Sequence, residues 1–105
     1  TGIDINSWIT ASKGDVSIQA NNPLARGNLN QNANVTANQG SVKLAGTNVT
    51  QKKGYVTYAG NGVNIGADET LQVARVDSAG DVQLGAAGNV TVVDAISGRS
   101  VAMQG

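Results

Sequence analysis

The chain has 105 residues, with 7 basic and 7 acidic side chains and no net charge. That length is one domain at most, and neutrality removes the electrostatic footprint of a nucleic-acid binder. Cysteine and histidine are absent, which excludes disulfides, thiolate chemistry and His-containing zinc sites. No apolar run is long enough for a transmembrane helix.

The chain carries 14 Gly, 1 Trp and no Phe. A core of this size usually uses several large aromatics. Here Val, Ile, Leu and Ala must do the packing, which favours a thin, regular interior.

Taken in chain order, apolar pairs at i and i+2 alternate with polar residues, as on one face of a strand. A first coil reads Ile3/Ile5, Ile9/Ala11 and Val16/Ile18, and a second reads Asn22/Leu24, Leu29/Gln31 and Val35/Ala37. A third reads Val42/Leu44, Val49/Gln51 and Val56/Tyr58, and a fourth Val63/Ile65, Leu71/Val73 and Val76/Ser78. A fifth reads Val82/Leu84, Val90/Val92 and Ile96/Gly98, and Val101/Met103 begins another. Equivalent pairs recur every 19–22 residues in all three columns. A sandwich of short strands has no reason to hold such a period. The pattern predicts an all-β solenoid, a parallel β-helix of about five coils of 19–22 residues with three short strands per coil. Each coil would bury too little alone, so stability must come from stacking. The coil beginning at Asn22 fits worst, because Asn22 replaces an apolar residue and Pro23 falls inside its strand.

The corners carry Gly, Asn and Asp, as in Gly46-Thr47-Asn48, Gly60-Asn61-Gly62 and Ala87-Gly88-Asn89. Such residues tolerate bent backbone. Asn28, Asn48 and Asn89 recur before the second-column strands and predict an amide ladder, interrupted by Thr70. Asp15 and Asp81 follow turn glycines and read as turn residues. Asp68 and Glu69 fall in an insertion between Ile65 and Leu71 and read as a solvated loop, since acid–base chemistry needs a shaped cleft and a partner. No calcium-loop pattern is present, so no metal or cofactor is expected. Lys52-Lys53-Gly54-Tyr55 reads as an extended turn with two cations beside an exposed tyrosine, the candidate surface contact. Trp8 lies between columns, either covering a corner of the first coil or packing against sequence outside this chain.

In this register Gly14-Asp15-Val16-Ser17-Ile18, Gly40-Ser41-Val42-Lys43-Leu44, Gly80-Asp81-Val82-Gln83-Leu84 and Gly88-Asn89-Val90-Thr91-Val92 resemble the repeats of the filamentous haemagglutinin family. These are two-partner-secretion exoproteins of Gram-negative bacteria, including contact-dependent growth inhibition effectors. The resemblance implies a right-handed parallel β-helix over residues 1–105 as a single segment of a longer fibre. It also implies display outside the outer membrane, a non-catalytic stalk or adhesin role, and partners that are adjoining repeats and a cell-surface receptor or glycan. Uncapped coil ends would also invite end-to-end self-stacking. The alternative is a fragment of a β-helical carbohydrate-active enzyme or phage tailspike, which would need acidic and aromatic side chains along one outer face. An ice-binding solenoid would need a ranked Thr array, whereas the outward residues Ser17, Lys43, Asn64 and Gln83 are mixed.

Overall fold

The structure is a computed structural model that describes residues 2–20 and 27–104. Its strands are β1 (Ile3–Ile5), β2 (Ile9–Ala11), β3 (Val16–Gln19), β4 (Leu29–Gln31), β5 (Val35–Ala37), β6 (Ser41–Gln51), β7 (Val56–Ala59), β8 (Gly62–Ser78), β9 (Asp81–Ala86), β10 (Val90–Ser97) and β11 (Val101–Gln104). No helix occurs among the described residues. Every strand pair is parallel, and the chain winds as a β-solenoid.

Three faces result, each a ladder of equivalent strands. On face 1, Val16, Val42, Val63, Val82 and Val101 lie in register. On face 2 the register runs Ile3, Leu29, Val49, Leu71, Val90. Face 3 runs Ile9, Val35, Thr57, Val76, Ile96. β6 crosses one corner without interruption, and β8 supplies strand segments to all three faces. The inward side chains are small and aliphatic, with Leu29, Val35, Val42, Leu44, Val63, Ile65, Leu71, Val76, Val82 and Leu84 all 2% exposed or less. Each such side chain contributes on the order of 1.5–3 kcal/mol by burial.

The structure corrects the expected register in the first coil. Ile3/Ile5 stack under Leu29/Gln31, Ile9/Ala11 under Val35/Ala37, and Val16/Ile18 under Val42/Leu44. Each pair therefore belongs to the next column along. The step from the first level to the second is 26 residues, longer than the expected 19–22. Its cause is local. Ala20 N–H donates to Ala45 O at 2.9 Å and Thr47 N–H donates to Gly27 O at 2.7 Å. The difference in length therefore falls between Ala20 and Gly27. The pair Asn22/Leu24 lies outside the described residues. Four steps connect the first level to the fifth on face 2, so the solenoid makes about four turns rather than five.

The other correction is one of parity. Val56 and Tyr58 were expected inside, but Thr57 and Ala59 are the buried pair, both 0% exposed. The space opposite is set by Ala37 and Ser78, which flank Ala59 in the ladder. It does not admit a tyrosine ring. Thr57 is accommodated because its hydroxyl donates to Gln31 Oε1 at 3.0 Å.

Glycine serves stacking more than backbone conformation. Among the described residues only Gly54 has positive φ, at 99°. At Gly80, a Cβ would overlap the Asn61 carbonyl oxygen of the coil beside it. At Gly40, Gly80 and Gly88 of the repeated phrase, the missing side chain lets neighbouring corners close on each other.

Candidate contact surface

The corner between faces 2 and 3 varies in length from coil to coil. Three residues, 32–34, separate the inward Gln31 and Val35, and two, 74 and 75, separate Val73 and Val76. Five residues, 52–56, separate Gln51 from Thr57. This extended turn is the one expected at Lys52–Tyr55. Lys52 N–H donates to Gln31 O of the coil below at 2.9 Å, and Tyr55 N–H donates back to Lys52 O at 3.3 Å. Gly54 supplies the left-handed residue that closes the turn.

The base of the turn is fixed from inside. Gln51 is 1% exposed, yet its Nε2 donates to Tyr55 O and Arg75 O, both at 2.9 Å, and its Oε1 accepts from Ala74 N–H at 3.0 Å. Gln31 repeats this one coil below, donating to Ala33 O at 3.0 Å. Asn34 Oδ1 accepts from Val56 N–H at 2.8 Å. Side-chain amides thereby bond backbone groups around this corner. The sequence reading placed Gln31 and Gln51 inward but gave them no role. Their recurrence at the same position of successive coils was the available signal.

Lys52 and Lys53 are exposed, as expected. Tyr55, expected to be exposed, is half-buried. The outward tyrosine is Tyr58, 37% exposed on face 3. It lies in register between Thr36 and Asp77. Arg75 Nε bonds Asp77 Oδ2 at 3.2 Å beside it. Lys52 and Lys53 thus stand on the turn, Arg75 lies in register with Val56 at its end, and Tyr58 faces outward on the adjoining face 3.

The amide ladder expected on the outside of face 2 forms between Asn28 and Asn48, and Thr70, expected to interrupt it, joins it instead. Asn48 Nδ2 donates to Asn28 Oδ1 at 3.1 Å. Thr70 continues the ladder, since its hydroxyl donates to Asn48 Oδ1 at 2.7 Å. Asp68 and Glu69 lie within β8 at a register irregularity opposite Thr47, not in a loop. Asp15 Oδ1 accepts from Ser41 N–H at 2.8 Å, which is a turn role.

A shallow depression on face 1 is flanked by Asp15 and Asp81 around Lys43, Asn64 and Gln83. The two carboxylates stand three levels apart, roughly 14 Å at the usual strand spacing. Glycosidase carboxylates work at roughly 5–9.5 Å. No aromatic side chain lines the depression. Among the described residues no three metal-ligating side chains cluster. Compared with family models, curated proteins and solved structures, the chain matches none.

Proposed function

We propose that this chain is a non-catalytic structural and adhesive segment of a large secreted fibre on a bacterial surface, where it spaces other modules and touches a receptor or glycan through one corner. The observation that carries the reading is the division between inside and outside. The interior is closed by aliphatic side chains and paired glutamines, so ligand contact belongs to the outward side chains. Of those, the turn at residues 52–56 is two to three residues longer than its counterparts at 32–34 and 74–75, and a longer turn leaves the stacking intact. The repeated Gly-x-Val phrases resemble haemagglutinin repeats, which supports display at the outer surface of a Gram-negative cell. Tyr58 offers a large amphipathic contact and the lysines a polar rim, a composition suited to recognition. Charges at such a rim act on association rate more than on affinity.

The test is binding to intact cells and to a glycan array. Lys52→Ala/Lys53→Ala/Tyr58→Ala should lose at least about tenfold in affinity, as loss of an anchoring aromatic does. Tyr55→Ala should act through stability instead. Full retention by the triple variant would remove this corner, and no binding by the unmodified chain would leave a spacer alone.

A further inference from the structure

The chain is neutral as a whole, but its charges are unevenly placed. Asp15 and Asp81 lie on face 1, Asp4 on face 2, and Asp68 and Glu69 at the corner between them. In and beside the corner between faces 2 and 3 stand Lys52, Lys53 and Arg75, with Asp77 and Asp94. Asp77 is taken by Arg75 at 3.2 Å. Asp94 stands one level beyond Arg75, on the side away from the lysines. Lys52 and Lys53 are therefore a local surplus of positive charge. Both are exposed, and among the described residues neither makes an ion pair.

The turn that carries them lies between two covered levels. Lys52 N–H is bonded to Gln31 O below, and Val56 lies in register with Arg75 above. The bond from Tyr55 N–H to Lys52 O, with positive φ at Gly54 and not at Lys53, is the type II pattern. Two amides at its centre are left over: among the described residues no hydrogen bond engages Lys53 N–H or Gly54 N–H. Successive unbonded N–H groups in a turn attract anions, and two ammonium groups stand on the same turn. A Cβ placed at Gly54 would meet no atom within 4 Å, so the turn is open on that side.

We propose that the ligand of this corner is an acidic polysaccharide, whose carboxylate or sulfate groups are held by Lys52, Lys53 and the two unbonded amides of the turn. The proposal rests on the contact-surface reading and gives its ligand a chemical class. Hydrogen bonds to such an anion are charge-assisted, and about twice as strong as neutral ones. Touching the anion directly, the lysines contribute to affinity and not only to the rate of encounter. The type II turn and the bonds of Gln51 at its base hold the donors in place before binding, which lowers the cost of ordering them. A polysaccharide fits better than an acidic protein segment because Tyr58 faces outward on the adjoining face 3. An aromatic ring there takes the C–H face of a sugar while an anionic group reaches the turn. From Tyr55 to Tyr58 the chain covers about 10 Å at the usual strand rise, so an extended chain of sugars meets both contacts where a single ion meets one.

Three probes test the class: polygalacturonate for carboxylate, dextran sulfate for sulfate, and uncharged dextran. The unmodified chain should bind at least one charged polymer and not dextran, and the charged polymer that binds names the group. Binding should weaken as salt is raised, because exposed charges are screened beyond about 10 Å at 0.1 M. Lys52→Gln/Lys53→Gln should lose at least about tenfold in affinity, the scale of one hydrogen bond to a charged group. Lys52→Arg/Lys53→Arg should keep the binding, and so should Lys43→Gln, which removes an exposed cation from face 1. All three variants change exposed side chains and should melt with the parent, so that a loss is not one of folding. Equal binding to dextran, no binding to either charged polymer, or full retention by Lys52→Gln/Lys53→Gln would each overturn the proposal. Loss of cell binding in Lys52→Ala/Lys53→Ala/Tyr58→Ala without binding of either charged polymer would overturn the acidic class and leave the corner as the contact surface.

Discussion

Gln51 is a polar residue at an apolar position, and its value lies in what surrounds it. Three hydrogen bonds tie it to Tyr55 O, Arg75 O and Ala74 N–H, and the Ala74 donor is buried. Leucine would fill much of the same volume, but it would leave the buried Ala74 donor without the amide and remove the bonds to the two carbonyls. Leaving a buried polar group unsatisfied costs about 1–3 kcal/mol. Gln51→Leu should therefore destabilise the chain by about 2–4 kcal/mol despite being more hydrophobic, measured as a shift of the urea midpoint at constant m. A variant as stable as the parent would mean that water or a shifted backbone replaces the amide. Thr57 belongs to the same network one step away, through Gln31, and this is why a threonine occupies the interior of β7 where valine was expected.

Among the elements, face 1 gives the sharpest test of stacking. Val63 is 2% exposed and lies between Val42 and Val82. Val63→Asp would bury a carboxylate with no partner between two coils, at a cost of several kcal/mol. Thermal unfolding should shift steeply downward or vanish, and an unchanged melting curve would refute the register of the face. The solenoid and the placement of Val42, Val63, Val82 and Val101 on one face were legible in the sequence, because strand period and coil period reinforce each other from residue 27 onward. The first coil was not legible, because the extra residues between Ala20 and Gly27 shift Ile3, Ile9 and Val16 by one whole face while preserving their alternation. Alternation reports which side of a strand is buried and is silent on which face of the solenoid the strand joins. The parity of β7 was missed for another reason. Val56 and Tyr58 look apolar, and the interior role of Thr57 depends on a glutamine 26 residues away. At the contact corner the lysines and the long turn could be read directly. The exchange of Tyr55 for Tyr58 as the outward ring follows from that same parity.

For the whole molecule, a stack of coils couples each level only to its neighbours, so stability is distributed along the axis. The distribution is visible in burial. β6 and β8 pair on both sides and hold half of the buried side chains among the described residues, whereas β11 pairs with β9 alone and is exposed at all four residues. β10 is intermediate, with its inward Val90, Val92 and Ile96 only partly covered. Local opening should therefore proceed from the ends inward, with free energies rising toward the middle levels. Amide hydrogen exchange at low protein concentration should be fastest in β11, slower in β10, and slowest in β6 and β8, over a range of at least about a hundredfold. Equal protection in all strands would mean that the chain opens only as a unit and that the end levels are as secure as the centre.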